Sequence, residues 1–120
     1  YMNETERLIK AIIDGIQDRK GKQITIVDLN EIGNTICQYF IICQGNSPTQ
    51  VEAIAESIEE NARKNANSKP ITVDGKRNAE WIAMDYANII VHIFLPEARE
   101  YYDIEHLWED AQLTQIEDLD

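Results

Sequence analysis

Two short apolar runs limit what this chain can fold into more than any other feature of the sequence. Residues 39–43 read Tyr-Phe-Ile-Ile-Cys without interruption, and residues 89–95 are apolar except for His92. A run of this length without polar alternation predicts a strand that is covered on both of its faces. We therefore expect both runs to be sheet strands, with residues 89–95 forming the central one.

Further patterns place helices and strands around these two runs. Apolar residues at helical spacing predict a first helix over residues 4–19, capped by Asn3 and followed by Gly21. Ser47 and Gln50 form the capping signal of a second helix, which begins at Pro48. Its buried face is expected to carry Val51, Ile54, Ala55, Ile58 and Ala62. Strands are also predicted over residues 23–29, 70–73 and 80–85, a loop over residues 30–34, and one or two short helices over residues 97–108.

The order of these elements, α-β-β-α-β-β-β-α, indicates the fold class. Two strands flank the second helix, which implies one right-handed β-α-β crossover. Asp74-Gly75 and residues 85–88 are spaced for antiparallel hairpins. The sequence thus predicts an α/β fold with a mixed sheet of about five strands and flanking helices. Residues 2–112 are expected to form a single domain, and residues 113–120 an acidic C-terminal tail.

The charge of the chain excludes some classes of partner. The sequence has 22 Asp and Glu against 11 Lys and Arg, a net charge of −11. Nucleic-acid affinity comes largely from Lys and Arg, so we expect no direct DNA binding and little or no direct RNA binding. A basic protein is a better partner, although the acidity could also serve solubility alone. No secretory signal or membrane span is recognisable, which favours the cytoplasm and no membrane.

Two groups of residues invite a catalytic interpretation, and each has a simpler one. Gly45-Asn46-Ser47 lies between a strand and a helix, as the Gly-Ser loop of nucleotidyltransferases does, but no paired-acid strand motif follows it. Cys43 could be a nucleophile with His92 as its base, but no orienting acid or oxyanion loop has a recognisable spacing. For Gly45-Asn46-Ser47 we favour the simpler interpretation of a capped helix, and for His92 that of a core or half-buried histidine. Cys37 and Cys43 lack zinc-site spacing and are expected to be buried, so we predict no catalytic residues, no metal and no cofactor.

Large aromatic residues near the C-terminus suggest a docking surface. Trp81 alternates with Ile82 and Met84, so it should face away from them. Trp, Tyr and Arg are over-represented among the residues that dominate binding energy. We predict a partner-binding surface made of Trp81, Tyr86, Arg99, Tyr102 and Trp108, with Asp85 as a charged contact. Tyr101 and Leu107 are instead expected to pack the C-terminal helix onto the sheet, and for Trp81 both interpretations stay open.

Four segments, in order along the chain, resemble the ribosomal silencing factor family (RsfS, Iojap-related). They are YFIICQGNS at residues 39–47, EWIAMDY at 80–86, VHIF followed by PEAREYY within 91–102, and IEHLWEDA at 104–111. The sequence departs from the family pattern at Gln38, where members usually carry Asp, and at Ala87-Asn88, where they usually carry Gly-Asp. Because four separate segments match over nearly the whole chain, the resemblance is more specific than any single motif.

The resemblance implies a function that composition does not. Members of the family bind the large ribosomal subunit through its ribosomal protein fourteen and sterically block joining with the small subunit, which lowers translation under nutrient limitation. It also implies a nucleotidyltransferase-like fold without catalytic residues, no enzymatic activity, and a possible homodimer when free. An acidic protein would suit a basic ribosomal protein and avoid rRNA. Two alternatives to this function remain. One is an enzyme, with nucleotidyltransferase-like or Cys43–His92 activity, and the other is a nucleic-acid binder.

Overall fold

The computed structural model describes residues 2–33 and 37–119. Its helices are α1 (Glu4–Asp18), α2 (Pro48–Ala66) and α3 (Pro96–Tyr102), and a 3-10 helix covers Ile104–His106. Its strands are β1 (Lys22–Asp28), β2 (Tyr39–Gln44), β3 (Thr72–Asp74), β4 (Trp81–Asp85), β5 (Ile89–Phe94) and β6 (Gln112–Ile116). Asn34, at the end of the predicted loop, and Asp120, at the end of the predicted tail, lie outside the described residues.

The two apolar runs are neighbouring strands in the middle of one sheet. The strand order is β3-β4-β5-β2-β1-β6, in which β2 and β5 are parallel and every other neighbouring pair is antiparallel. Side chains of β2 and β5 alternate between two apolar clusters, one on each face of the sheet. Burial on both faces removes the polar alternation of a half-exposed strand. The predicted α/β fold with a mixed sheet and flanking helices is confirmed.

The sheet contains six strands rather than about five, because the sequence analysis missed β6. This strand pairs antiparallel with β1, from Asp28 opposite Gln112 to Ile24 opposite Ile116. Its first four residues are exposed, so it lacks the apolar periodicity by which a strand is recognised. Residues 113–116, which we expected to begin the acidic tail, therefore belong to an edge strand.

The connections between strands are largely as predicted. Helix α2 leads from β2 to β3, and the pairing directions make β3 parallel to β2, although β4 and β5 lie between them. The right-handedness of this crossover stays a prediction. Both predicted hairpins are present. Gly75 has φ +94° in the first, and Ala87 has φ +74° in the second. A positive φ favours glycine. Ala87 is the residue at which the sequence departs from the Gly of the family pattern.

The helices α1 and α2 begin at the predicted capping residues. Asn3 Oδ1 accepts a hydrogen bond from the Glu6 amide at 2.8 Å, and Ser47 Oγ accepts one from the Gln50 amide at 3.1 Å. The Gln50 side chain accepts from the amide of Asn46 at 2.7 Å, one residue before the cap. The capping signals in the sequence thus locate the start of each helix, as expected for side chains that bind free helical amides.

Helices α1 and α2 pack closely on one face of the sheet. Ser57 Oγ donates to the carbonyl of Gly15 at 2.8 Å, where α1 crosses α2. A Cβ atom at Gly15 would lie 2.9 Å from the Cα of Ile58, so only glycine permits this approach. All five residues predicted for the buried face of α2 are buried there. In the described part of the chain, none of the helices has the length and apolar content needed to cross a membrane.

Candidate functional site

The candidate site starts from the register of β4 against β5. Trp81 lies opposite Phe94 and Ala83 lies opposite His92, so Trp81 and His92 project from the same face of the sheet. Ile82 and Met84 alternate with Trp81 and belong to the apolar cluster beneath α1 and α2. Trp81 therefore lies on the face opposite these two helices, and its predicted orientation is confirmed.

A hydrogen bond joins the Trp81 and His92 side chains. Nε1 of Trp81 lies 3.0 Å from Nδ1 of His92. Because the indole nitrogen can only donate, His92 must be neutral with its own proton on Nε2. Burial lowers the pKa of His92 from 6.5 to about 4, which maintains this neutral form at neutral pH. The buried Nε2 atom has no hydrogen-bond partner among the described residues, and the ring stands edge-on to Phe40.

Ring contacts continue from this pair in both directions. On one side, the ring centroids of Trp81 and Tyr102 are 4.7 Å apart, and those of Tyr102 and Tyr101 are 5.0 Å apart. On the other side, the His92 ring contacts Phe40 at 4.8 Å, and Phe40 contacts Trp108 at 5.3 Å. The inner rings belong to the sheet and the outer rings to the C-terminal segment. The two parts of the chain thus form one row of aromatic side chains.

We call Trp81 and the aromatic rings of the C-terminal segment, together with Leu107, which precedes Trp108 in the sequence, the aromatic surface: Trp81, Tyr101, Tyr102, Leu107 and Trp108. Tyr101 is 82%, Leu107 62% and Tyr102 49% exposed, whereas Trp81 and Trp108 are half-buried. The expectation that Tyr101 and Leu107 pack the C-terminal helix onto the sheet is wrong. Large apolar side chains that stay exposed in this way are candidates for contacts with a partner.

Different residues attach the C-terminal segment to the sheet. Ala98, Ile104 and Trp108 pack against the second apolar cluster, which includes Phe40 and Phe94. Tyr101 and Tyr102 are adjacent on a short helix, and neither is buried against the sheet. The segment consequently covers only part of this sheet face and leaves its tyrosines accessible.

Tyr86, which we predicted for the docking surface, lies in the core on the other face of the sheet. Its side chain is 6% exposed and belongs to the cluster beneath α1 and α2. Tyr86 continues the alternation of Ile82 and Met84, which would have predicted this side. Burial raises the pKa of its hydroxyl, whose oxygen has no hydrogen-bond partner among the described residues. The ring is therefore not available to a partner.

Asp85 and Arg99, the charged residues predicted for the surface, both make intramolecular contacts. Asp85 is half-buried, and its Oδ1 accepts from the amide of Ala87 at 2.7 Å, which supports the turn between β4 and β5. The Arg99 side chain is 12% exposed and forms an ion pair with Glu105, with Nε 2.8 Å from Oε1. The structure thus brings together Trp81, Tyr102 and Trp108, turns Arg99 inward and places Tyr86 on the opposite side.

Negative charge is concentrated in the part of the sequence that carries the aromatic surface. Residues 78–120 contain 11 of the 22 acidic residues but only one of the 11 Lys and Arg residues, Arg99. Because Glu105 pairs with Arg99, no Lys or Arg in this part of the chain offers a free positive charge. Glu97, Glu100 and Asp103 are exposed on or next to α3. Exposed carboxylates thus lie close to the aromatic surface in the sequence.

The structure does not assemble the catalytic pair considered from the sequence. Cys43 lies opposite Ile93, with its side chain in the cluster beneath the helices, whereas His92 lies on the other face. Cys43 is fully buried, and burial raises its pKa to about 12. At Gly45-Asn46-Ser47, side chains already bind the Asn46 and Gln50 amides. Within residues 2–33 and 37–119, no group of three His, Cys, Asp or Glu side chains could hold a metal ion.

Comparisons with known proteins agree with this fold and resemblance. A family model described as "Ribosomal silencing factor during starvation" matches residues 2–120. The ribosomal silencing factor RsfS of Bacillus subtilis is 33% identical over 116 residues, which cover 97% of this chain and 96% of that protein. A mouse protein named "Mitochondrial assembly of ribosomal large subunit protein 1" is 32% identical over 84 residues, 65% of this chain and 37% of its own length.

A solved structure supports the same assignment. The crystal structure of a Chromobacterium violaceum protein superposes with a TM-score of 0.82 at 33% identity, covering 90% of this chain and 88% of the other. The family model and the Bacillus subtilis relative both extend over nearly the whole chain. The chain belongs to the ribosomal silencing factor (RsfS) family.

Proposed function

We propose that this protein is a translational repressor that binds the large ribosomal subunit and sterically blocks its joining with the small subunit under nutrient limitation. The family description, a silencing factor during starvation, supports the repressive role, and the name of the mouse relative supports association with a large subunit. The observation that carries the proposal is the aromatic surface, exposed within an acidic third of the chain. It is suited to docking on a basic protein.

We propose ribosomal protein fourteen of the large subunit as the direct partner, as the family resemblance implies. The exposed tyrosines offer flat faces on which Arg side chains stack, and the surrounding carboxylates offer partners to Lys and Arg. The same carboxylates repel the phosphates of rRNA, so the protein should discriminate against neighbouring RNA. Of the residues proposed from the sequence, Trp81, Tyr102 and Trp108 are kept as contacts, with Asp85 at the far end of β4.

The proposed mechanism is exclusion rather than chemistry. The protein measures 35 × 33 × 29 Å, so a copy bound where the small subunit joins would hold the two subunit surfaces apart. This mechanism needs no bond to be made or broken, so we propose that the protein is not an enzyme. The Cys43–His92 alternative has lost its geometric basis, because these side chains lie on opposite faces of the sheet.

Other parts of the proposal concern the state of the free protein. We propose that it acts in the cytoplasm, forms a homodimer when not bound, and binds the ribosome with the single domain predicted from residue 2 onward, which β6 extends from residue 112 to Ile116. The accessory acidic tail is then limited to residues 117–120. Sedimentation of the free protein measures its oligomeric state. A variant that ends at Ile116, which keeps β6, measures the contribution of the tail to binding when it is compared with the full chain.

Co-sedimentation with purified large subunits tests the docking surface. We expect Tyr102→Ala to weaken binding by about 2 kcal/mol, roughly thirtyfold, because this half-exposed ring contacts Trp81 without lying in the core. Trp81→Ala should lose at least as much. The control replaces Glu56 and Glu59 of α2 by Ala and should bind nearly normally. Circular dichroism accompanies each variant, and folded Trp81→Ala and Tyr102→Ala proteins with unchanged affinity would move the docking surface elsewhere.

A further inference from the structure

The Arg99 side chain is fully occupied by contacts within the protein. Its Nε and Nη2 atoms donate to the two carboxylate oxygens of Glu105 at 2.8 and 3.1 Å. Nη1 donates to the carbonyl of Gln23 at 2.6 Å and to Oε1 of Gln44 at 3.2 Å, and Nη2 donates to Oγ1 of Thr25 at 3.1 Å. A guanidinium has five N–H groups, and five donor contacts are present. No donor is left for a ribosomal partner.

The sheet is shaped to receive this side chain. The pairing of β1 with β2 passes from Lys22 opposite Gln44 to Thr25 opposite Ile42, which leaves one extra residue in β1. Gln23, in this bulge, has φ +54°, a conformation that costs energy for a residue other than glycine. Its carbonyl accepts from Arg99, and its amide donates to Oδ1 of Asp118 at 2.8 Å. The irregularity in β1 therefore has a definite use as an acceptor for Arg99.

The C-terminal segment has few other attachments to the sheet. Neither α3 nor the 3-10 helix buries a residue completely. Arg99 lies in α3 and Glu105 in the 3-10 helix, so their ion pair spans the junction at Asp103, where φ is +46°. Tyr101 and Tyr102 precede this junction, and Leu107 and Trp108 follow it. The orientation of both halves of the aromatic surface thus depends on the link between Arg99 and Glu105.

We infer that Arg99 is a positioning residue: it fixes residues 97–108 on β1 and β2 and thereby forms the aromatic surface, and it does not contact the partner. The inference rests on the proposed function for its effect on ribosome binding. It replaces the expectation that Arg99 is itself a docking residue. It also agrees with charge, because an exposed Arg would repel a basic partner, whereas this Arg is paired and turned inward.

A double-mutant cycle with Arg99→Gln, Glu105→Gln and the double variant tests the inference. Affinity for large subunits is measured by co-sedimentation, and amide hydrogen exchange is followed by mass spectrometry. We expect each single variant to weaken binding by about tenfold or more, and the double variant to be no weaker than the weaker single one, because both changes break the same link. Exchange should accelerate in residues 97–108 and stay slow in β2 and β5.

Two further variants control for charge and for loss of folding. Arg99→Lys keeps the charge but not the planar fork, so it should recover little affinity. Thr25→Val removes a single acceptor and is the milder substitute if Arg99→Gln does not fold; it should give a smaller change in the same two measurements. The inference would be overturned if Arg99→Lys bound large subunits with full affinity while the amides of residues 97–108 exchanged rapidly.

Direct contact between Arg99 and the partner gives a different pattern. Arg99→Gln would then weaken binding, while Glu105→Gln, which frees the guanidinium, would leave affinity unchanged or raise it, and exchange in residues 97–108 would not respond. That pattern overturns the inference, as does faster exchange in residues 97–108 with unchanged affinity. If the wild-type protein does not bind large subunits, the proposed function fails, and the exchange result alone decides whether Arg99 fixes the segment.

Discussion

The pair Trp81 and His92 shows how one buried polar contact fixes an exposed surface. Trp81 packs against Phe94, with ring centroids 5.0 Å apart, and the hydrogen bond to His92 sets the orientation of its indole within that contact. The bond requires neutral His92, because a protonated imidazole has no acceptor nitrogen. The protonation state of a single core residue therefore supports the geometry of the aromatic surface.

The buried His92 should make stability depend on pH. Burial lowers its pKa from 6.5 to about 4, so between these values the unfolded chain binds a proton that the folded chain excludes. The free energy of unfolding should then fall as pH drops from 6.5 to 4, by an amount on the order of 3 kcal/mol, and this contribution should be constant outside the window.

Urea unfolding of the wild type and of His92→Gln at steps between pH 7 and pH 4 measures this effect. The Gln amide oxygen can still accept from Trp81, and the carboxylates that titrate at low pH are common to both proteins. The difference between the two stability curves therefore isolates His92. Parallel curves across the window would show that His92 does not titrate in this way.

Cys43 is expected to be structural. Its side chain is fully buried and burial raises its pKa to about 12, so a thiol reagent should label it only when the protein unfolds. Cys43→Ala should lower the free energy of unfolding by about 1–3 kcal/mol through the small cavity it leaves, without loss of ribosome binding. Denaturant titration and co-sedimentation measure the two effects. A folded Cys43→Ala protein that no longer binds would contradict this role.

At the level of elements, the contact of α1 with α2 holds the helical layer together. Gly15 lies where the helices cross, and a Cβ atom there would come within 2.9 Å of the Cα of Ile58. Gly15→Ala should force the helices apart and cost about 1–3 kcal/mol, although alanine is the better helix former. Gly33→Ala, where no atom of the described residues lies within 4 Å of the added Cβ, is the control and should be nearly neutral. Thermal or urea unfolding compares the two, and equal stabilities would be incompatible with close packing at Gly15.

The elements that were predictable from the sequence are those with strong local signals. Ser47 and Asn3 locate the starts of α2 and α1, and the run of residues 39–43 locates a strand with two covered faces. Strand β6 has no such signal, because it is exposed and is defined by its pairing with β1. A register set by distant partners does not appear in a local pattern.

The candidate site was predictable only where a local pattern in the sequence determines the direction of a side chain. Strand alternation gave the direction of Trp81, and the same rule applied to Tyr86 would have placed that ring in the core. The inward turn of Arg99 depends on acceptors from Gln23, Thr25 and Gln44, which are far away in sequence. Exposure of Tyr101 and Leu107 follows from how little of the C-terminal segment, α3 and the 3-10 helix included, is buried against the sheet, which only the three-dimensional structure reveals.

At the scale of the whole molecule, the uneven charge should act on the rate of docking. Carboxylates near the aromatic surface attract a basic partner before contact, so the double change Glu97→Gln with Glu100→Gln should slow association several-fold at low salt and change dissociation little. The matched control, Glu56→Gln with Glu59→Gln on α2, removes the same charge from the other side of the sheet. Surface plasmon resonance on immobilised large subunits measures both rates. Equal slowing by both variants would mean that only net charge matters.

Subunit joining measured by light scattering tests the central claim most directly. Large subunits are incubated with the protein and then mixed with small subunits, while their occupancy is measured in parallel by sedimentation. The wild-type protein should reduce joining in proportion to the large subunits it occupies. Tyr102→Ala should block joining at about thirtyfold higher concentration, in line with its weaker binding. Normal joining by large subunits that carry the wild-type protein would contradict steric exclusion.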